Sequence, residues 1–576
     1  MALQEGRSIS LREQQQPPAL DHDLEAEEFR TTGGQGPPDI DETALTRRKG
    51  LGMARARVLI GNGILQLPIW EESGFAMSYG VFQEYLTTTT TTTNKTQTQT
   101  LKGSQSATGL IGTTFNGVMY ISMPFLFALL ARTYARHRRA AALAGAALAC
   151  LGFALSSLAT RAWHLVASQG VLAALGCALV YSPTTLSLGE WFSHDGGGVG
   201  GGGGGVGGGN RALAYGVTLS CKNIVGSACP FLLRVLLDRY GFRTAVRIWA
   251  ALVAGTSVPA VIFLVPTHPS RLLLLLPPSP DDDTTTTTPS GSSRGGRRRR
   301  RRVRMTPWHF LRHGTIYVYA LATALQSSGY GIPQTYLATY ARDVAALSTT
   351  SATLLLTVFN LPGIVSSAFF GYLSNMSKNR YNPNNNNNNN NNSSNNNNIT
   401  TDTNSSQNNN NDEHNNEDDD GSRVSKRRFT LSLSASAVTL IPALGSALSA
   451  LLLWGLTSRG STSLLVLFSA TFGFFAGGYS ATWGGVLDEL EREAGDSSEA
   501  VDTGLLYGLL NGARGVGYVG GGLAGVPLLS AGGKGPVAGG FGYGSAYGPL
   551  IIFTGVSSVF GGWAVLWRWG RLLFTA

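Results

Sequence analysis

At 576 residues, with 14% charged and 43% hydrophobic side chains, the chain departs from soluble domains, where charged residues make up roughly 25%. The net charge of +10 would suit a nucleic-acid binder, but the run Arg297 to Arg302 supplies much of the excess and no groove-reading motif accompanies it. Composition thus excludes a string of soluble domains and a nucleic-acid partner, and leaves apolar stretches of about the twenty residues that cross a bilayer core.

Residues 1–56 are polar and are expected to form a disordered cytosolic tail. They lack a basic-then-apolar signal pattern, so the first spanning helix is expected to target the chain. The apolar pattern predicts helices 1 to 6 at 57–85, 107–131, 140–159, 163–189, 211–236 and 244–265. A polar central loop, 266–313, follows and is expected to be disordered and cytosolic. Helices 7 to 12 are predicted at 314–340, 349–374, 431–456, 463–487, 503–529 and 546–569. An asparagine-rich insert, 376–428, separates helices 8 and 9. The expected domains are therefore an N-terminal six-helix half, 57–265, and a C-terminal half, 314–570, the pattern of a repeated unit.

Basic residues orient this array. Arg132, Arg136, Arg138 and Arg139 lie between helices 2 and 3, Arg297 to Arg302 in the central loop, and Lys378, Arg380, Lys426, Arg427 and Arg428 between helices 8 and 9. That side is read as cytosolic, together with both termini. The loop after helix 1 then lies outside, and its Asn94-Lys95-Thr96 sequon is a candidate glycosylation site at Asn94. Asn398-Ile399-Thr400, on the cytosolic side, should not be modified.

The low-complexity tracts avoid the spans: threonines 87–93, glycines 196–209, the central arginines and asparagines 384–398. Such sequence buries too little apolar surface to order itself. The glycine tract has no preceding strand and no following Lys-Ser/Thr pair, so it reads as a spacer and not a phosphate cradle. Cys150, Cys177, Cys221 and Cys229 all fall inside apolar stretches and read as small buried residues, not as a disulfide or metal set. No metal site and no cofactor are expected. Neither His-Glu-x-x-His nor Gly-x-Ser-x-Gly in a strand-turn-helix setting occurs, and an enzyme is not expected.

Charges within spans mark function, because each costs about 2.5–3.5 kcal/mol at a helix centre on insertion scales. Lys222 in helix 5 and Arg514 in helix 11 are the clearest. Thr218 and Lys222 share a face, as do Tyr507, Asn511 and Arg514. Helix 7 carries a stripe of Gln326, Tyr330 and Gln334, and helix 2 one of Thr113, Asn116 and Tyr120. Such stripes either line a shared cavity or hydrogen-bond helix to helix. Two cations with polar neighbours suit a carboxylate ligand. The candidate substrate-binding residues are Lys222, Arg514, Asn511, Tyr330, Gln326, Asn360 and Asn116. Gly508/Gly512, Gly517/Gly521 and Gly473/Gly477, each spaced by four, read as close-packing sites.

Trp191-Phe192, then the glycine insert, then Arg211-Ala212-Leu213-Ala214-Tyr215-Gly216-Val217-Thr218-Leu219-Ser220-Cys221 is similar to the helix 5 entry of the monocarboxylate-transporter-like branch of the major facilitator superfamily, particularly its fungal members, with Cys221 in place of the last glycine. Tyr79-Gly80-Val81-Phe82-Gln83-Glu84-Tyr85, Leu236-Leu237-Asp238-Arg239-Tyr240-Gly241-Phe242-Arg243 and Gly371-Tyr372-Leu373-Ser374-Asn375 extend the likeness. The acidic-Gly-Gly-Trp-Gly-Trp element of animal members is missing, as is their helix 8 Asp/Arg pair, where this chain has Asn360 and Pro362. Glu71-Glu72-Ser73 interrupts helix 1 and reads as an insertion or a broken helix, a proton-coupling site being the other reading.

The resemblance implies an all-α membrane protein of the major facilitator fold, with twelve transmembrane helices in two pseudo-symmetric six-helix halves. It implies a secondary transporter of a small organic anion, such as a monocarboxylate with protons, working by alternating access. The alternatives are a broad-specificity metabolite exporter and a transport-inactive sensor or scaffold. The plasma membrane is favoured over the vacuolar one.

Overall fold

A computed structural model of the chain describes residue 59 and residues 77–92, 105–192, 211–264, 309–376, 434–458, 461–496, 502–532 and 541–575. The expectations for the tail 1–56, Glu71-Glu72-Ser73, Asn94, the glycine tract, most of the central loop and nearly all of the asparagine-rich insert lie outside these residues.

Twelve helical segments run through the described residues. The first is α1, Tyr79–Thr92. Next come α2, Gln105–Ala128, prolonged by a π-helical turn Leu129–Thr133, and α3, Arg138–Ser156. α4 joins Ala162–Leu165 to Ala174–Phe192 through the wider turns of Val166–Ala173. α5 and α6 form one stretch, Arg211–Leu264, broken at Gly241, so α5 covers 211–240 and α6 covers 242–264. α7 is Gly314–Asp343. α8 joins Thr349–Asn360 to Pro362–Met376. α9 is Ala435–Leu448 with Ser449–Trp454. α10 joins Thr462–Gly478 to Trp483–Asp496 through a tight turn Tyr479–Thr482. α11 is Thr503–Ala531, and α12 joins Gly548–Phe560 to Trp563–Thr575.

Local chemistry explains several boundaries. Gly241 takes φ +71°, a left-handed conformation open to glycine at little steric cost. It turns the chain from α5 into α6 without a loop, where the sequence predicted a seven-residue gap. Asp502 caps α11, its Oδ1 accepting from the Gly504 and Leu505 amides at 3.1 and 3.3 Å. Ser348 caps α8 through the Ser351 amide at 3.2 Å. α10 runs about two turns past its predicted end. α12, predicted as one span, bends by 43° at the Gly561-Gly562 break.

Seven helices among the described residues are long and apolar enough to cross a membrane by that measure alone, or eight if bent α12 counts as one span. The stretch containing both α5 and α6 is among the seven. α7 and α11 fall short because they carry the polar stripes and runs of glycine. The chain is a multi-pass integral membrane protein.

Helix pairing shows the internal symmetry. α2 packs along α11, where a Cβ on Gly512 would press on Pro124 at 2.5 Å and one on Gly515 would meet the Ile121 amide at 2.5 Å. α5 packs along α8, where a Cβ on Gly371 would meet the Ala212 carbonyl at 2.8 Å. Exchanging each helix with the one six places away maps the α2/α11 pair onto α8/α5. The same exchange maps the α4/α11 contact of Leu186 with Gly504 onto the α10/α5 contact of Gly484 with Ala212. Two repeated six-helix units related by a pseudo-twofold axis produce this pattern.

Candidate functional site

Arg514 is the centre of the site. It projects from the middle of α11 and is only 6% exposed. Its Cζ lies 4.9 Å from the Tyr120 ring centroid, 5.6 Å from Tyr518, 5.8 Å from Tyr330 and 6.0 Å from Trp483. Tyr120 comes from α2 and the other three from α7, α10 and α11, so both sets of six helices enclose the guanidinium. Ring faces attract a desolvated cation, but they offer its N–H groups little to bond. Nη2 donates to the Tyr518 hydroxyl at 3.4 Å, and Tyr518 in turn donates to Gln334 Oε1 at 3.5 Å. The Nε–H is buried with no acceptor among the described residues.

Lys222, on α5, is 4% exposed and lies within electrostatic range of Arg514. Two buried cations within electrostatic range of one another are mutually destabilising, and an anion between them would relieve this. A carboxylate fits because it accepts from the guanidinium edge and from an ammonium together.

The remaining predicted residues divide. Tyr330 belongs to the site and packs on Phe359, Phe472 and Tyr518 at ring centroid distances of 6.0, 6.4 and 6.4 Å. Asn360 lies on the α5/α8 seam, where its Nδ2 donates to the Gly226 carbonyl at 3.0 Å and to Leu356 at 2.9 Å, leaving a buried Oδ1 without a donor among the described residues. Gln326 is buried one turn before Tyr330, against Gly561 of α12, and its Nε2 has no acceptor among the described residues. Asn511 donates to Tyr507 at 2.9 Å and Asn116 to Gly112 at 3.2 Å, each within its own helix. The structure therefore brings Lys222, Arg514 and Tyr330 together, gives Asn360 a seam position, and ties Asn511 and Asn116 to their own backbones.

Three site residues were not singled out as binding candidates. Tyr120 was noted only as part of the α2 stripe. Tyr518 is four residues past Arg514 and shares its face, a spacing that would have identified it. Trp483 carried no local signal, since its approach depends on how α10 packs against α11.

On one side of Arg514, Tyr507 stacks on Tyr215 of α5 at 4.5 Å with ring planes 7° apart, and Trp483 meets its edge at 5.7 Å. On the other side, α1 approaches α7 so closely that a Cβ on Gly80 would lie 2.8 Å from the Gln334 carbonyl oxygen. Among the described residues the site is covered from both ends.

Comparison with known proteins agrees with this architecture. A family model described as Major Facilitator Superfamily matches residues 75–384, more than half the chain. Monocarboxylate transporter 12-B of Danio rerio is 27% identical over 243 residues, 41% of this chain and 48% of that protein. Monocarboxylate transporter 13 of Bos taurus is 28% identical over 235 residues, 40% of this chain and 46% of its own length. An MFS-type transporter of Gibberella moniliformis is 27% identical over 139 residues, 24% and 29% of the two chains. The chain spans about half the length of the first of these relatives. With the twelve helices, the i to i+6 pairing and the family match together, the chain belongs to the major facilitator superfamily and is similar to its monocarboxylate-transporter branch.

Proposed function

We propose that this protein is a secondary transporter of a small organic anion, exposing the Arg514 site alternately to the two sides of the membrane. The observation that carries the reading is Arg514 itself, a buried guanidinium ringed by aromatic faces with an unaccepted Nε–H, within electrostatic range of a buried lysine. Removing an ion from water costs several kcal/mol, and a carboxylate would supply the missing hydrogen bonds. The printed names of the relatives favour a monocarboxylate. Proton coupling follows if Lys222 exchanges a proton as the anion arrives, because an adjacent carboxylate favours the charged amine. The basic-loop pattern supports cytosolic termini, and the plasma membrane is the favoured location.

The test is uptake into proteoliposomes from a panel of labelled carboxylates, sulfonates and neutral metabolites. The expected result is carboxylate uptake that falls by at least about tenfold in kcat/KM in Arg514→Gln, since a charge-assisted pair is lost. Uptake confined to neutral compounds, or unchanged by Arg514→Gln, would sink the reading.

A further inference from the structure

At the end of the bundle where α1 finishes, one carboxylate faces two arginines. Glu84 of α1 has a side chain 4% exposed. Its Oε2 accepts from Arg234 Nη1 of α5 at 2.5 Å, and its Oε1 from Arg342 Nη1 near the end of α7. Arg234 also reaches Asp238 on its own helix at 2.9 Å. α1 and α5 belong to the first six helices and α7 to the last six. The Arg234 bond therefore lies within one half, and the Arg342 bond crosses between halves.

The surroundings make that end a closed mouth. Gly80, one turn before Glu84, packs against the α7 backbone, and a Cβ on Gly109 of α2 would meet the Tyr336 hydroxyl at 3.0 Å. If the halves rock apart here, packed apolar surfaces separate at a cost spread over their whole area, with no single bond to break. The Glu84–Arg342 pair behaves differently, because opening must break a partly buried ion pair. Arg234 stays with Glu84 throughout and prevents the carboxylate from being left unpaired. This explains why two arginines serve one acid.

We propose that Glu84, Arg234 and Arg342 form a charge clamp of the transport cycle: Arg234 holds Glu84 in place, and the Glu84–Arg342 bond keeps this mouth shut over the Arg514 site until the halves move. The proposal rests on the transport reading for its purpose, but the geometry can be tested without any substrate.

The experiment measures distances between spin labels in purified full-length protein whose four native cysteines are replaced by alanine. Labels at Thr160→Cys, in the turn between α3 and α4, and Ser463→Cys, near the start of α10, place one exposed probe on each half. Both positions belong to the Glu84 end, since Ser157 bonds Arg247 just after the α5/α6 break and Thr457 bonds Tyr340 near Arg342. The unaltered protein should show mainly the short distance. Glu84→Gln and Arg342→Gln should each raise the ratio of long to short on the order of tenfold, as loss of a partly buried ion pair implies. Arg234→Gln leaves the crossing bond in place and should shift the ratio less. Unchanged distributions in both Glu84→Gln and Arg342→Gln would overturn the clamp, and so would an equal shift in Arg234→Gln. Neither outcome bears on anion uptake, whereas loss of the anion reading with these shifts intact would leave the clamp standing. Should Glu84→Gln fold poorly, Arg342→Gln alone gives the decisive comparison.

Discussion

Tyr120 and Tyr518 stack with ring centroids 5.8 Å apart and planes within 8° of parallel. One comes from α2 and the other from α11, and the Arg514 guanidinium stands 4.9 Å from the first ring. This contact joins the two halves through the residue that gives the site its charge. A change of packing between α2 and α11 therefore reaches the Arg514 site directly.

Tyr120→Leu should accordingly raise the KM for the transported anion about 5- to 30-fold, the worth of a desolvated cation–π contact of about 1–2 kcal/mol. Tyr120→Phe keeps the ring face and should stay within about threefold. Uptake kinetics measured beside surface abundance separate this from a folding loss.

Lys222→Ala should abolish anion accumulation at normal abundance. Lys222→Arg should retain exchange of labelled for unlabelled anion, yet lose accumulation driven by a pH gradient, because guanidinium does not release a proton in this range. Accumulation surviving in Lys222→Ala at normal abundance would remove Lys222 from the mechanism.

Gly473→Val tests the seam inside the second half. A Cβ on Gly473 would collide with the Phe359 carbonyl of α8, a backbone atom that cannot turn aside. Overpacking of this kind costs about 1–3 kcal/mol, so the melting temperature of the purified protein should fall by at least about 3 °C. A melting curve matching the unaltered protein would show that α8 and α10 separate at no cost.

Glycosidase treatment checks the orientation. A mobility shift that disappears in Asn94→Gln is expected, with Asn398→Gln indistinguishable from the unaltered protein. A glycan on Asn398 would invert the assignment of both mouths, including the one that Glu84 closes.

The linear sequence revealed the helices because crossing a bilayer demands about twenty apolar residues, and that demand is local. It revealed Lys222 and Arg514 for the same reason, since a charge within an apolar run stands out whatever surrounds it. The spacing of Gly508, Gly512, Gly517, Gly521 and Gly473 announced close packing. In the structure each faces a neighbouring helix: Phe127, Pro124, Ala324, Ser328 and Phe359 respectively. Polar stripes were less informative, because a side chain on a polar face can turn to its own backbone. Asn511 and Asn116 do so.

Sequence by itself thus determined the class of the protein, the order of its spans and the two buried cations, all of which depend on transfer between water and lipid residue by residue. Only the tertiary structure decided what those cations meet. Tyr120 and Trp483 reach Arg514 because α2 and α10 cross beside α11, and Glu84 meets Arg342 across a separation of 258 residues. Such pairings depend on how helices pack, and their packing depends on the fit of many small surfaces at once. No stretch of the chain records that fit in its own composition.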